Sequence, residues 1–318
     1  MRPSLFEIAG EPVPAYFTLL CIGFALATWF CARWAKRSGV DHEAMIDLGL
    51  LMLITGVAGA RIMHVIADGY FWNYVHLCTD PALSEWKMTK GQCVDAQWIW
   101  DATKEVCRPK ERDCFAWAAF WRGGLTYYGG LMVAIPAGAW LMRRENIPVL
   151  KVCDIAGASV PIGLVWGRMG CFLGGCCYGQ VTGDGFPLAV RFPAWSAASE
   201  GQFRAGELVG PHLESLSVHP TQLYEAIGCL LIGMFLTGVA LPKKRFDGMV
   251  LLLFLALYAV LRFVVEFWRA DDRGEAFSLS TSQLISLGAL ALVAALWPIF
   301  LKRSKAVAAS APLPGNNP

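Results

Sequence analysis

Charge is what this sequence has least of. Asp, Glu, Lys and Arg make up 16% of the 318 residues, and the formal net charge is only +2. So small an excess, with no basic tract interleaved with aromatics, excludes nucleic acid as a partner. Neither an internal repeat nor an inverted pair of broken helices is visible, which argues against a secondary transporter. The first 15 residues contain Glu7 and Glu11 and few basic residues, so they do not read as the n-region of a cleaved signal peptide, and the first helix is expected to stay as an anchor.

What is abundant is apolar sequence. Hydrophobic residues fill 56% of the chain and mean hydropathy is +0.46, a balance at which a soluble domain of this length would aggregate. In hydrocarbon the backbone must satisfy its own polar groups, so long apolar runs read as helices of about 20 residues. Seven are predicted: Tyr16–Ala32, Ala44–Ile66, Gly124–Met142, Lys151–Phe172, Thr221–Leu241, Gly248–Phe267 and Ser282–Leu301. The fold class is therefore all-α, a polytopic membrane protein with about seven transmembrane helices and a small periplasmic head. A single integral-membrane domain is expected over residues 1–305. Residues 306–318, small, Pro-rich and polar, read as a disordered tail.

Basic residues mark alternate connections: Arg33, Lys36 and Arg37; Arg143, Arg144 and Lys151; Lys243, Lys244 and Arg245; Lys302, Arg303 and Lys305. Short cytoplasmic loops carry the Lys/Arg excess, so these connections are placed inside, with the N-terminus outside and the C-terminus inside. The same rule sends residues 67–123, 173–220 and 269–280 outside. The first of these holds Cys78, Cys93, Cys107 and Cys114, and an even number of thiols in an exported loop predicts two disulfides with three possible pairings. A zinc site is disfavoured there, because no close Cys-x2-Cys pair or suitably spaced His accompanies them. The other seven cysteines lie in or near spans, where Cys is usually a small buried apolar residue.

Charged groups within spans are costly and are functional candidates by default. Arg61, Arg168 and Arg262 sit on three separate spans, and Arg262, Glu266 and Arg269 follow at i, i+4 and i+7 on one helix face. Arg269 alone is explained by a structural ion pair or by snorkelling to headgroups. Arg61, Arg168 and Arg262 together outnumber the carboxylates near them in sequence and point to an anion. Phosphate suits a guanidinium fork, and lipid headgroups supply it at that depth. Close helix packing explains the Gly pair of the third span, whereas the run Gly167 to Gly179 reads as backbone folded against a headgroup. His219, Pro220, Thr221, Gln222, Tyr224 and Glu225 crowd the entry to the fifth span, more polar groups than a helix start needs.

The segments Gly59-Ala60-Arg61-Ile62, Gly167-Arg168-Met169-Gly170, His219-Pro220-Thr221-Gln222-Leu223-Tyr224-Glu225 and Tyr258-x-x-x-Arg262-x-x-x-Glu266-Phe267-x-Arg269 resemble, in order, the hallmark segments of the prolipoprotein diacylglyceryl transferase family. The resemblance runs from the first span to the last, outside the cysteine-bearing insertion and the tail. It implies a multi-pass enzyme of the bacterial inner membrane that moves the diacylglyceryl group of phosphatidylglycerol onto the lipobox cysteine of a prolipoprotein, releasing glycerol phosphate. No cofactor or metal is implied. The resemblance gives Arg168 and Arg262 as the arginines that meet the lipid phosphate, Glu266 and Tyr128 as further catalytic candidates, and Arg61, Tyr258, His219, Gln222, Tyr224, Glu225, Gly170 and Gly179 as substrate-binding residues.

The chain departs from the family at two places. Tyr128 stands where a His commonly precedes Gly-Gly-Leu, and a phenol is a weaker base at neutral pH than an imidazole. Cys171 and Gly174-Gly175-Cys176 replace polar positions of the signature, in a Gly-Cys-Phe-x-x-Gly-Cys-Cys-x-Gly form known within the wider family. For Cys171, Cys176 and Cys177, small buried thiols or a structural disulfide are favoured over a metal site or a nucleophile. Two other functions stand beside the transferase: a paralogue acting on a different thiol or lipid donor, and a non-enzymatic phospholipid-binding protein.

Overall fold

The computed structural model describes residues 4–8, 11–86, 93, 97–120, 124–183, 185–271, 275–276 and 278–310. Arg122 and most of the expected tail, residues 311–318, fall outside these. Among the described residues the architecture is helical, with three two-stranded hairpins: β1 (Ser4–Ile8) with β2 (Glu11–Pro14), β3 (Ile99–Asp101) with β4 (Val106–Arg108), and β5 (Glu275–Ala276) with β6 (Leu279–Ser280). Among the described residues six helices are long and apolar enough to cross a membrane. They are α1 (Ala15–Arg37), α2 (His42–Ala67), α5 (Val149–Gly174), α7 (Thr221–Phe235, continued by a π turn over Leu236–Ala240), α8 (Met249–Glu266) and α9 (Thr281–Ser310). The remaining expected span is α4 (Tyr127–Arg144). It has 18 residues with Pro136 inside and Arg143 and Arg144 in its last turn, and it is not among the six. Two short helices, α3 (Phe71–Thr79) and α6 (Ala197–Arg204), lie in the segments expected outside. The last helix continues to Ser310, several residues into the stretch read from composition as tail.

The chain packs as two units, Met1–Ile46 with Ile147–Pro318, and Asp47–Asn146. In the first, α5 is the central helix. Gly23 of α1 and Gly163 of α5 face each other so closely that a Cβ on either would meet the other's carbonyl oxygen at 2.6 and 2.9 Å. Small residues at a crossing let two backbones approach where apolar lipid offers no hydrophobic drive to association. On another side of α5, Ala158 packs with Ile232, Leu236, Ala240 and Leu241 and with Val250 of α8. The start of α8 is held by a residue from α5. Asp154, fully buried, accepts from Lys244 Nζ at 3.0 Å and from the backbone N–H groups of Gly248, Val250 and Leu251 at 2.9, 2.8 and 3.1 Å. Four donors satisfy one buried carboxylate and several orphan amides of the helix terminus. Lys244, one of the cations used above to assign sidedness, is thus also a structural ligand.

The segment between α5 and α7 forms a head with its own small core of Tyr178, Phe192, Ala198 and Val218, against which Phe172 and Val190 pack. Three strands of backbone zip together beneath it. Gly179 N–H donates to His219 O at 3.1 Å, His219 N–H to Gln180 O at 3.0 Å, Gln180 N–H to Trp268 O at 2.7 Å and Ala270 N–H to Tyr178 O at 3.3 Å. This sets the ends of α5, α7 and α8 side by side.

In the second unit, Gly59 of α2 and Gly129 of α4 make a similar close crossing, each within 2.5 Å of the other's carbonyl oxygen as measured from a built Cβ. The packing role expected of the Gly129 pair is what the structure shows. The four loop cysteines form Cys78–Cys114 and Cys93–Cys107, one of the three pairings the sequence left open. Arg108 adds ion pairs to Glu85 and Asp101, each at 3.2 Å.

Candidate functional site

A chain of alternating charge runs through the first unit where α5 and α8 end and α7 begins. Arg168, near the end of α5, places Nη2 2.7 Å from Oε1 of Glu225, which sits one turn into α7. Tyr258 of α8 donates its hydroxyl to the same oxygen at 2.9 Å. The other oxygen, Oε2, lies 4.0 Å from Arg269 Nη1. Arg269 also approaches Glu266 Oε2 at 3.8 Å and binds Asp271 through two bonds, Nε to Oδ1 at 2.9 Å and Nη2 to Oδ2 at 2.7 Å. Arg262 closes the chain, 2.6 Å from Glu266 through Nη1, with Nη2 donating to Ser282 Oγ at 2.9 Å. The i, i+4, i+7 stripe read from the sequence is therefore a real network.

The structure corrects the charge count behind the anion argument. Arg168, Arg262 and Arg269 face Glu225, Glu266 and Asp271, three cations and three carboxylates. Sequence separation concealed this match, because Glu225 comes from a different helix from both of its arginines. Arg61 is bonded differently. It belongs to the second unit, where it is buried and donates Nε to Trp117 O at 2.6 Å, Nη2 to Ala116 O at 2.7 Å and Tyr74 OH at 2.9 Å, and Nη1 to Gly124 O at 3.1 Å. Its guanidinium also lies 5.2 Å from the centre of the Tyr74 ring. Those bonds tie the disulfide-bearing loop to α2. Nor does Arg269 snorkel: its side chain is 2% exposed.

Exposure separates the arginines. The side chain of Arg168 is 17% exposed, against 9% for Arg262 and 2% for Arg269, so Arg168 is the arginine of the network that solvent or a headgroup reaches most readily. The residues around it hold the loop that follows α5. Gly175 ends the helix in the left-handed conformation at φ 71°. Gln222 and Thr221, both fully buried, then donate to the carbonyls of Cys176 at 2.7 Å and Cys177 at 2.8 Å. Gln222, expected to bind substrate, thus has its amide nitrogen engaged within the protein. Gly170 and Gly179 are likewise accounted for by close approach. A Cβ at Gly170 would stand 3.1 Å from Tyr16 Cα, and one at Gly179 2.5 Å from His219 O. These contacts account for glycine at both positions.

His219 and Tyr224 are partly buried and share a bond of 3.1 Å between Nδ1 and the phenol oxygen, and the His219 ring lies 4.7 Å from that of Phe186. Tyr128 is 60% exposed at the start of α4 in the second unit. Cys171, Cys176 and Cys177 are thiols, not linked as a disulfide. Hydrogen bonds from the Cys171 and Cys176 thiols, then the charge of Arg269, hold the Cys177 thiol below the usual thiol range. Two groups in the network escaped the sequence reading. Asp271 had a signal in Arg269-Ala270-Asp271 just beyond a span, whereas Ser282 had none.

The family described as prolipoprotein diacylglyceryl transferase matches residues 3–91 and 107–299. The unmatched segment is narrower than the loop 67–123 set aside from the sequence, and it contains Cys93. Proteins named phosphatidylglycerol–prolipoprotein diacylglyceryl transferase are similar over nearly the whole chain. That of Clostridium tetani is 26% identical over 90% of this chain and 93% of its own length. The Dehalococcoides mccartyi protein is 27% identical over 95% and 94%, and that of Glaesserella parasuis 28% identical over 90% and 87%. A match on that scale, on a multi-pass helical membrane protein, means that the chain belongs to the prolipoprotein diacylglyceryl transferase family.

Proposed function

We propose that this enzyme transfers the diacylglyceryl group of phosphatidylglycerol to the lipobox cysteine of prolipoproteins at the outer leaflet of a bacterial inner membrane, with its N-terminus periplasmic and its C-terminus cytoplasmic. The thiol sulfur attacks the glycerol carbon that bears the phosphate, that C–O bond breaks, and its electron pair leaves with glycerol phosphate. The thiol proton is taken up by the departing glycerol phosphate as the thioether forms. Negative charge gathers on the departing phosphate, which is where preorganised donors act most strongly.

The observation that carries this reading is Arg168 pinned from behind by buried Glu225. One Nη is held by the carboxylate, which fixes the plane of the guanidinium while the side chain stays partly exposed. Tyr258, bound to the same carboxylate oxygen, fixes Glu225 in turn. Arg262 and Arg269 lie deeper and set the potential around Arg168 through Glu266 and Glu225. His219, Tyr224, Gln222, Gly170 and Gly179 shape and hold the walls.

The test is complementation of a transferase-depleted bacterium, paired with purified protein, phosphatidylglycerol and a lipobox peptide. The full chain restores growth and releases one glycerol phosphate per thioether, and Arg168→Ala inserts normally but does neither. Lipid binding without glycerol phosphate release would instead mark a binding protein. Transfer to a different thiol, with no rescue, would mark a divergent paralogue, the reading that Tyr128 favours.

A further inference from the structure

Beside the ion-pair network lies a cluster to which the proposed transfer assigns no step. The Sγ atoms of Cys171, Cys176 and Cys177 all lie within 4.8 Å of one another. Three thiols converge here although two would suffice for a disulfide. The backbone is bent to bring in the third: Cys177 adopts φ 61°, a conformation unfavourable for a residue with a side chain. Buried Thr221 and Gln222 clamp the carbonyls of Cys177 and Cys176. The same chain pairs its four loop cysteines as disulfides but leaves these three as thiols.

A covalent role in the transfer is excluded by its own chemistry. Attack by one of these thiols on the glycerol carbon would leave an alkyl thioether on the enzyme, whose sulfur is too poor a leaving group to pass the lipid on. We propose instead that Cys171, Cys176 and Cys177 form a three-thiolate binding site for a soft, thiophilic divalent cation of the zinc or cadmium class. Zinc–sulfur bonds of about 2.3 Å in tetrahedral geometry place sulfurs about 3.8 Å apart, a spacing that small side-chain rotations reach from the present one. Binding releases three protons, and three thiolates with one divalent cation keep a net charge of −1. Arg168 Nη1, 3.9 Å from Cys177 Sγ, faces that residual charge. Three protein ligands leave a fourth position for a water or another small donor. Because Cys177 touches Arg168, occupancy is coupled to the arginine that the proposed function places at the headgroup. The binding itself does not depend on that function.

The experiment uses the full chain in detergent, with thiols reduced and chelator removed, titrated with Zn(II) or Cd(II). One equivalent binds, Cd(II) gives thiolate charge-transfer absorption, and Zn(II) protects Cys171, Cys176 and Cys177 from alkylation as mapped by mass spectrometry. Cys177→Ser weakens binding at least about 100-fold, whereas Cys21→Ser leaves it unchanged. Should Cys177→Ser fail to fold, alkylation of the unaltered chain still decides. Full alkylation in the presence of Zn(II), binding that survives Cys177→Ser, or recovery of any two of the three as a disulfide from cells overturns the site.

Discussion

Glu225 Oε1 lies 2.7 Å from Arg168 Nη2, and the carboxylate is fully buried while the guanidinium is not. The pair joins α5 to α7, so the orientation of the most exposed arginine in the network is set by a residue 57 positions later in the chain. Its value to the protein is specificity of placement more than stability, since the desolvation of a buried pair cancels much of its Coulomb attraction.

Removing one partner is a different matter. Glu225→Gln leaves Arg168 facing a neutral amide, and the loss is expected to be about 3 kcal/mol of stability, within the usual cost of breaking a buried pair. Transfer falls by about 100-fold as well, because the guanidinium plane is no longer fixed. Arg168→Lys keeps the charge and loses the fork, so its activity is expected to fall similarly with little change in unfolding temperature. Thermal unfolding and glycerol phosphate release, measured on the same preparations, separate the two effects.

Arg61 behaves as a strut of the second unit. Arg61→Lys cannot serve the carbonyls of Ala116, Trp117 and Gly124 together. Hydrogen exchange is expected to rise over residues 70–86 and 97–118 and to stay unchanged in α5 and α8. If Arg61 acted only on lipid, lipid affinity would fall with exchange unaltered.

Asp154 holds the start of α8 from the opposite end of α5. Asp154→Ala orphans three backbone donors and Lys244, at an expected cost of about 3 kcal/mol. The variant should unfold at lower temperature in detergent while keeping its activity per folded molecule, because the change lies far from Arg168 along the helix. Normal stability in this variant would refute the capping role.

Acid sensitivity of the second unit has a defined sign at Asp68. Hydrogen bonds from His64 and from Thr126, at 2.9 and 2.8 Å, hold its carboxyl below the ordinary carboxylate range. A depressed acid contributes stability above its unfolded pKa and loses it as pH falls through the folded one. The side chain is 41% exposed, so the contribution is under about 1 kcal/mol. Asp68→Asn is expected to flatten the dependence of α4 exchange on pH below about 4 and to leave it unchanged near neutrality. An unaltered acid profile in this variant would remove Asp68 from the account.

The sequence alone was enough for the membrane class, the positions of seven apolar helices, of which the structure shows six long and apolar enough to span, the i, i+4 pairing of Arg262 with Glu266, and the family. These follow from periodicity, hydropathy and local spacing, which neighbouring residues carry within a single helix. It could not reveal that Glu225 neutralises Arg168, that Arg61 serves the loop carbonyls, or that Cys78 pairs with Cys114. Those depend on which helices and loops lie side by side, a matter of long-range packing in which Gly23 on Gly163 and Asp154 on Gly248 bring together residues more than 90 positions apart. Buried charge is costly unless partnered, and only the tertiary structure shows where each partner comes from.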